Sequence, residues 1–229
     1  MIDMSKPPNL YLHEEVLLLA LNDDSGKTQG GWFTFGLGGA MVAELLLAQR
    51  VTFEPVKKKR MVTVTRPSLV GEPLLDECMH LLNNAKRRAD VATWVGKFAG
   101  IPKLRERIAD RLCQRGILRR SEDRVLFVFS RQLYPMVDPR PERELTERMR
   151  KAIFQDGEVD VRTAIVTRLA YRADLLRFMA DRKELKRRKS RIEALPLPAT
   201  LDASVRDAIA AVHKAVEAVS AAATVAVIG

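Results

Sequence analysis

At 229 residues, 47% of them hydrophobic and 30% charged, the chain is long enough to bury a core without a disulfide or metal and too apolar for global disorder. Thirty-nine Lys and Arg against 29 Asp and Glu leave a formal charge of +10, which points to partners carrying negative charge: lipid headgroups, nucleic acid or an acidic protein. Cys78 and Cys113 are the only cysteines, which excludes a disulfide scaffold. The opening MIDMSKPPN lacks the apolar centre of a signal peptide, and no run reaches the roughly eighteen apolar residues of a membrane span, so a soluble, cytoplasmic protein is expected.

Residues 1–9, ending Lys6-Pro7-Pro8-Asn9, read as a flexible tail, and residues 10–229 as a single domain. LHEEVLLLAL (Leu12–Leu21) reads as a helix, with Glu14 and Glu15 at the positive end of its dipole. Asp23-Asp24-Ser25-Gly26 supplies a turn, and Gly36-Leu37-Gly38-Gly39 opens a second helix running through Met41, Glu44 and Leu47. The period then changes. Val51–Glu54 and MVTVT alternate like the arms of a β-hairpin with Lys57-Lys58-Lys59-Arg60 at its tip. Leu104, Ile108 and Leu112 mark another helical stripe, closed by Gly116, and VLFVF (Val125–Phe129) reads as an arm of a second hairpin. Helix followed by hairpin thus occurs twice, the grammar of a winged-helix unit. Asp138-Pro139-Arg140-Pro141 breaks the chain before a helix over Glu142–Phe154. Val161–Ala180 reads as a core helix, Arg182–Arg191 as a basic run ended by Pro196 and Pro198, and the segment from Asp202 as a closing helix. The fold class is mainly α with two β-hairpins.

Signals for catalysis are thin. His13, His80 and His213 stand apart from one another and from both cysteines, and no metalloprotease, zinc or hydrolase motif occurs. Ser25-Gly26-Lys27-Thr28 ends like a P-loop, but Leu21 stands where the first glycine is required. Gly36-Leu37-Gly38-Gly39 lacks the third glycine of a dinucleotide loop, so glycine that lets helices pack closely is the better account. Neither a cofactor nor a metal is expected. Trp32, flanked by Gly31 and Phe33, either tucks into the core or presents an amphipathic ring to a membrane interface. Arg105, at the border of its apolar stripe, either snorkels along the core edge or lines a phosphate site.

Three stretches together, LYLHEEVLLLALNDDSGK (10–27), GLGGAMVAELLL (36–47) and LRERIADRLCQRGIL (104–118), resemble the Golgi phosphoprotein 3 (GPP34) family, and especially its divergent bacterial members. The resemblance implies a helical bundle surrounded by amphipathic helices and β-hairpins. It also implies a non-catalytic, peripheral membrane adaptor that binds phosphatidylinositol 4-phosphate through one Trp and several Arg, with a hydrophobic hairpin that inserts or mediates self-association. Carried onto this chain, the family tryptophan falls on Trp32 and one pocket arginine on Arg105. Two further arginines fall on Gly38 and Pro102, the latter beside Lys103. Each missing charge-assisted phosphate contact is worth about 1.5–3 kcal/mol. Lys103, Arg107 and the tip residues Lys57, Lys58, Lys59 and Arg60 are the cations available to compensate, the tip by facing the membrane.

The leading expectation is therefore an adaptor on an anionic phospholipid surface, with a client protein and hairpin-mediated homo-oligomers as further partners. The rival is nucleic-acid binding by duplicated winged-helix-like units, against which Glu106 and Asp110 interrupt the basic helix 104–115.

Overall fold

Leucines and valines at nearly every position of LHEEVLLLA leave no polar face for solvent, and α1 (Leu12–Ala20) is buried along its whole length in the computed structural model. That structure describes residues 10–22, 24–29, 32–125, 129–177, 179–199 and 203–228; the expected tail over residues 1–9 lies outside them. Beside α1 runs α2 (Phe33–Leu47), and α2 in turn packs against α4 (Val91–Ala99), α7 (Val161–Arg172) and α10 (Ala203–Ile228). The side chains of these helices form one apolar cluster running from Leu10 to Val216.

The glycines expected to open α2 lie inside it, because the helix starts three residues earlier at Phe33. Two of them permit contacts that no other residue would. A Cβ on Gly38 would stand 2.3 Å from the Val95 carbonyl oxygen on α4, and one on Gly39 would stand 2.5 Å from Val216 Cγ2 on α10. Backbone approach of this kind is what glycine supplies, and it agrees with the helix-packing account.

Two antiparallel hairpins decorate the helices: β1 (Val51–Val56) with β2 (Lys59–Val64), and β3 (Ser121–Val125) with β4 (Phe129–Leu133). The basic tip is where the alternation placed it, with Lys57 at φ +53° in the turn. VLFVF is not one arm. Val125 ends β3 and pairs with Phe129, which begins β4, while residues 126–128 lie outside the described set. Helix then hairpin does occur twice, as α2–β1–β2 and as α5 (Leu104–Gln114)–β3–β4.

The core helix expected to reach Ala180 stops at Arg172, where Asp174 takes φ +60° and turns the chain; Leu176 and Met179 still reach the core from the loop beyond. The basic run 182–191 breaks into two short helices, α8 (Arg182–Arg187) and α9 (Lys189–Glu193). Between the hairpin and α5 lie α3 (Pro73–Asn83) and α4, capped by Glu72 and Asp90 respectively. The last long element before α7 is α6 (Arg140–Phe154).

Charge is buried around α1. Glu14 accepts from the Tyr11 N–H at 2.9 Å and faces Arg115 at 2.6 Å and Arg111 at 3.4 Å, both on the flank of α5. Glu15 meets Arg148 of α6, and Glu44 of α2 accepts from Arg162 of α7 at 2.7 Å and from the Leu12 N–H at 2.6 Å. Glu72, the cap of α3, accepts from Arg111 at 2.9 Å. The carboxylates read as first-turn dipole partners are thus also anchors that tie α1 to α5 and α6, while Glu44 ties α2 to α7. Burial, against the pull of Arg148 and Arg162, pushes the Glu15 carboxyl up to about 7. Burial, reinforced by Arg111 and Arg162, holds His13 down at about 3, so its imidazole is neutral in the fold.

Candidate functional site

Lys103 is the hinge of the first expected site. It stands at φ +53° just before α5, a conformation that turns the chain out of the Ile101–Pro102 segment, and its side chain is exposed. No side chain caps the first turn of α5, although Glu106 places a carboxylate within it and the Leu104 N–H bonds the Ile101 carbonyl at 3.2 Å.

Arg105, two residues on, points toward the loop between α1 and α2. Leu21 and Thr28 bridge the base of this loop, and at its apex Gly26 sits at φ +62° with its own N–H on the Asn22 carbonyl at 2.7 Å. The apex lies flat on the chain after β4: a Cβ on Gly26 would stand 2.3 Å from the Tyr134 nitrogen. Gly26-Lys27-Thr28 therefore forms a tight packing turn, not a phosphate-binding loop. The Arg105 Nη2 donates to the Gln132 carbonyl at 3.3 Å and reaches the Gly26 carbonyl at 3.5 Å, while the guanidinium lies 5.4 Å over the Tyr134 ring. Nη1 is 3.4 Å from Glu106. Its Nε is buried with no hydrogen-bond partner among the described residues. Arg105 thus clips the 22–28 loop to β4 from the edge of the core.

Trp32 follows that loop as the residue preceding α2. Half-buried, it stacks on Phe35 with ring centroids 6.2 Å apart, while Phe33 and Phe35 turn to the core. Arg105 stacks on Tyr134 instead of the indole, and among the described residues no hydrogen bond or ring contact joins it to Trp32. Arg107 faces away from both and pairs with Glu77 of α3 at 2.5 Å. The position where the resemblance puts a further arginine, Gly38, is pressed on the α4 backbone and has no room for a side chain. Pro102 is exposed.

The hairpin tip forms a second basic region. Lys59 bridges to Asp90 at 2.8 Å and Arg60 to Asp207 of α10 at 3.8 Å, so the tip is strapped to α4 and α10. Between the tip, the start of α4 and α10 lies a cavity of about 510 Å³. Periodicity marks the tip, but it carries no sign that Lys214, on the far helix, lies across this cavity. Among the described residues no cluster of His, Cys, Asp or Glu could hold a metal ion, and no helix is long and apolar enough to cross a membrane.

The model of the Golgi phosphoprotein 3 (GPP34) family matches residues 12–212, nearly the whole described chain. This chain belongs to the Golgi phosphoprotein 3 family. Among curated proteins it is similar to vacuolar protein sorting-associated protein 74 of Eremothecium gossypii, 29% identical over 156 residues, covering 58% of this chain. The chain spans about half the length of that relative, 46% of it. The matched region takes in the α1–α7 core, the loop 22–28, the hairpin tip and the first third of α10, so both basic regions sit within the shared part.

Proposed function

We propose that this GPP34 protein is a non-catalytic peripheral adaptor that docks on an anionic membrane leaflet, taking a phosphorylated headgroup at the start of α5 and burying the Trp32 ring in the interface. The observation that carries the reading is the arrangement around that helix end: an exposed Lys103, a first turn that no side chain caps, and an Arg105 guanidinium held beside it against the 22–28 loop. Phosphate oxygens accept from all three kinds of donor. With the family arginine absent at Gly38, the headgroup preference is for anionic charge more than for one phosphoinositide, and phosphatidylinositol 4-phosphate is one member of the class. The hairpin tip adds attraction at longer range, about 1 kcal/mol for each Lys or Arg that comes near the leaflet.

Nucleic-acid binding has less support. Arg111 and Arg115, the cations that would give α5 a basic recognition face, are spent on the buried Glu14 and Glu72.

Vesicle flotation tests the reading. The protein is expected to float with phosphatidylcholine vesicles that carry phosphatidylinositol 4-phosphate or phosphatidylserine and to stay behind with phosphatidylcholine alone. Lys103→Glu reverses one leaflet-facing charge, a change of about 2 kcal/mol, so affinity is expected to fall about thirtyfold. Trp32→Ala is expected to weaken binding further without unfolding the core. Equal recovery with neutral and anionic vesicles, unmoved by either substitution, would overturn the proposal.

A further inference from the structure

The cavity under the hairpin tip carries an excess of positive charge that the fold itself does not use. Two carboxylates lie at its edge, and each is already matched: Asp90 with Lys59 and Asp207 with Arg60. Lys57 and Lys58 on the turn and Lys214 on α10 are left. Among the described residues no carboxylate lies within ion-pairing distance of any of these three, and all are solvent-exposed. The floor between them is apolar and made of small side chains, with Ala92 on α4 and Ala211 and Ala215 on α10.

The walls are held in place. The Val62 N–H donates to the Ala89 carbonyl at 3.0 Å, Met61 bridges Asp90, and Asp90 caps α4 through the Thr93 N–H at 2.9 Å while it holds Lys59. A site assembled before the ligand arrives loses less on binding than one that must be ordered.

Size and charge define what fits. About 510 Å³ lies within the ordinary range for a small-molecule site and is several times larger than a bare phosphate needs. Three unmatched ammonium groups suit a doubly charged anion, which a phosphate monoester near neutral pH provides, better than a single carboxylate. The remaining volume over small alanine side chains, open to water on one side, takes a compact group of about three carbons attached to that phosphate.

We propose that Lys57, Lys58 and Lys214 form a second anion site, which takes a phosphate monoester of a small polyol such as a glycerol unit, presented either free or as a lipid headgroup. The site lies apart from Lys103 and Arg105 and does not rest on their role.

Lysine acylation footprinting of the full chain, read by mass spectrometry, tests it. The probes are glycerol 3-phosphate, and phosphatidylcholine vesicles doped with phosphatidic acid; sodium chloride at matched ionic strength is the reference. The expected result is that at least one probe slows acylation of Lys57, Lys58 and Lys214 together, several-fold, while the exposed Lys86 and Lys183 react as before. Protection by glycerol 3-phosphate assigns a free ester, and protection by vesicles alone assigns a lipid. Lys214→Glu, an exposed change that leaves the fold intact, is expected to raise about tenfold or more the probe concentration needed to protect Lys57 and Lys58, since it removes one charge-assisted contact across the cavity. Trp32→Ala is expected to leave protection by glycerol 3-phosphate unchanged, which separates this site from the membrane contact. Failure of both probes, equal protection of Lys86 and Lys183, or protection of the turn that survives Lys214→Glu would each overturn the proposal.

Discussion

Two helix glycines, Gly38 and Gly96, offer the same substitution with opposite expected outcomes. Replacing Gly38 by Ala puts a Cβ 2.3 Å from the Val95 carbonyl oxygen and 3.0 Å from the Ala99 nitrogen, both backbone atoms of the α4 segment. Neither can swing aside, so α4 has to retreat by about 1 Å from α2 to reach ordinary contact, loosening apolar packing along the seam. Overpacking of this kind costs about 1–3 kcal/mol, and a contact with rigid backbone belongs at the upper end. The helix-propensity gain of Gly→Ala returns about 1 kcal/mol, leaving a net loss of about 2 kcal/mol. A Cβ on Gly96, in α4 itself, meets nothing within 4 Å, so Gly96→Ala keeps the gain of about 1 kcal/mol. For a domain of this length each kcal/mol moves Tm by about 2–4 °C, and the two variants are expected to melt about 6–12 °C apart on either side of the parent. Differential scanning calorimetry with urea titration measures both. If Gly38→Ala melts with or above Gly96→Ala, the seam is not closed by glycine and the account of α2 fails. The same geometry means that writing the family arginine into Gly38 would not restore a phosphate contact, because the side chain would have to pass through α4.

The buried charges yield two further expectations. Between pH 7 and 5 the folded Glu15, raised to about 7, takes up a proton that the unfolded chain does not, so acidification strengthens the fold through this group, and Glu72 acts in the same direction. His13 and His213, both held near 3, work the other way: below about pH 6.5 the unfolded chain binds protons that the fold refuses, and stability is lost as pH falls. Glu15→Gln removes the Glu15 contribution alone, so between pH 7 and 5 the variant is expected to lose about 2 kcal/mol more than the parent in urea unfolding; parallel profiles would show that Glu15 is ionised throughout. Glu14→Ala, which strips a buried carboxylate from Arg115 and Arg111, is expected to cost about 3 kcal/mol or more, whereas Arg107→Ala breaks the half-exposed pair with Glu77 for less than about 1 kcal/mol. Equal losses in the same urea assay would contradict the assignment of α1 as the charged centre of the fold.

What periodicity carries, it carried well. Leu104, Ile108 and Leu112 lie buried on one face of α5, and the alternation of Val51–Val64 gives a hairpin with Lys57 and Lys58 in the turn. The segment 73–99 holds readable signals as well: Leu74, Cys78 and Leu82 recur at spacing four in α3, and Asp90 caps an apolar stripe of Val91, Trp94, Val95 and Phe98 in α4. The end of α7 is harder to see. Leu176 and Met179 keep the helical spacing although Asp174 has already turned the chain, because a loop can deliver apolar groups to the core as a helix does. Long-range pairing is not in the local pattern at all. Nothing near Glu14 announces Arg115, and nothing near Lys58 announces Lys214, since each partner lies on an element far along the chain. Trp32 stands out in its glycine-flanked loop and Arg105 at the border of its stripe, and the resemblance adds a shared pocket, but the clip that Arg105 makes on Gly26 and Gln132 depends on carbonyl positions that only the folded backbone sets.

The anchoring of the first hairpin also bears on how copies of this protein could meet. β2 already has a neighbour along its outer rim at Met61 and Val62, where residues 89 and 90 occupy its hydrogen-bonding groups. On the other rim, Pro55 of β1 brings no N–H. A ribbon occupied on one border and short of a donor on the other is a poor template for an incoming strand, which guards it against runaway sheet growth at high concentration.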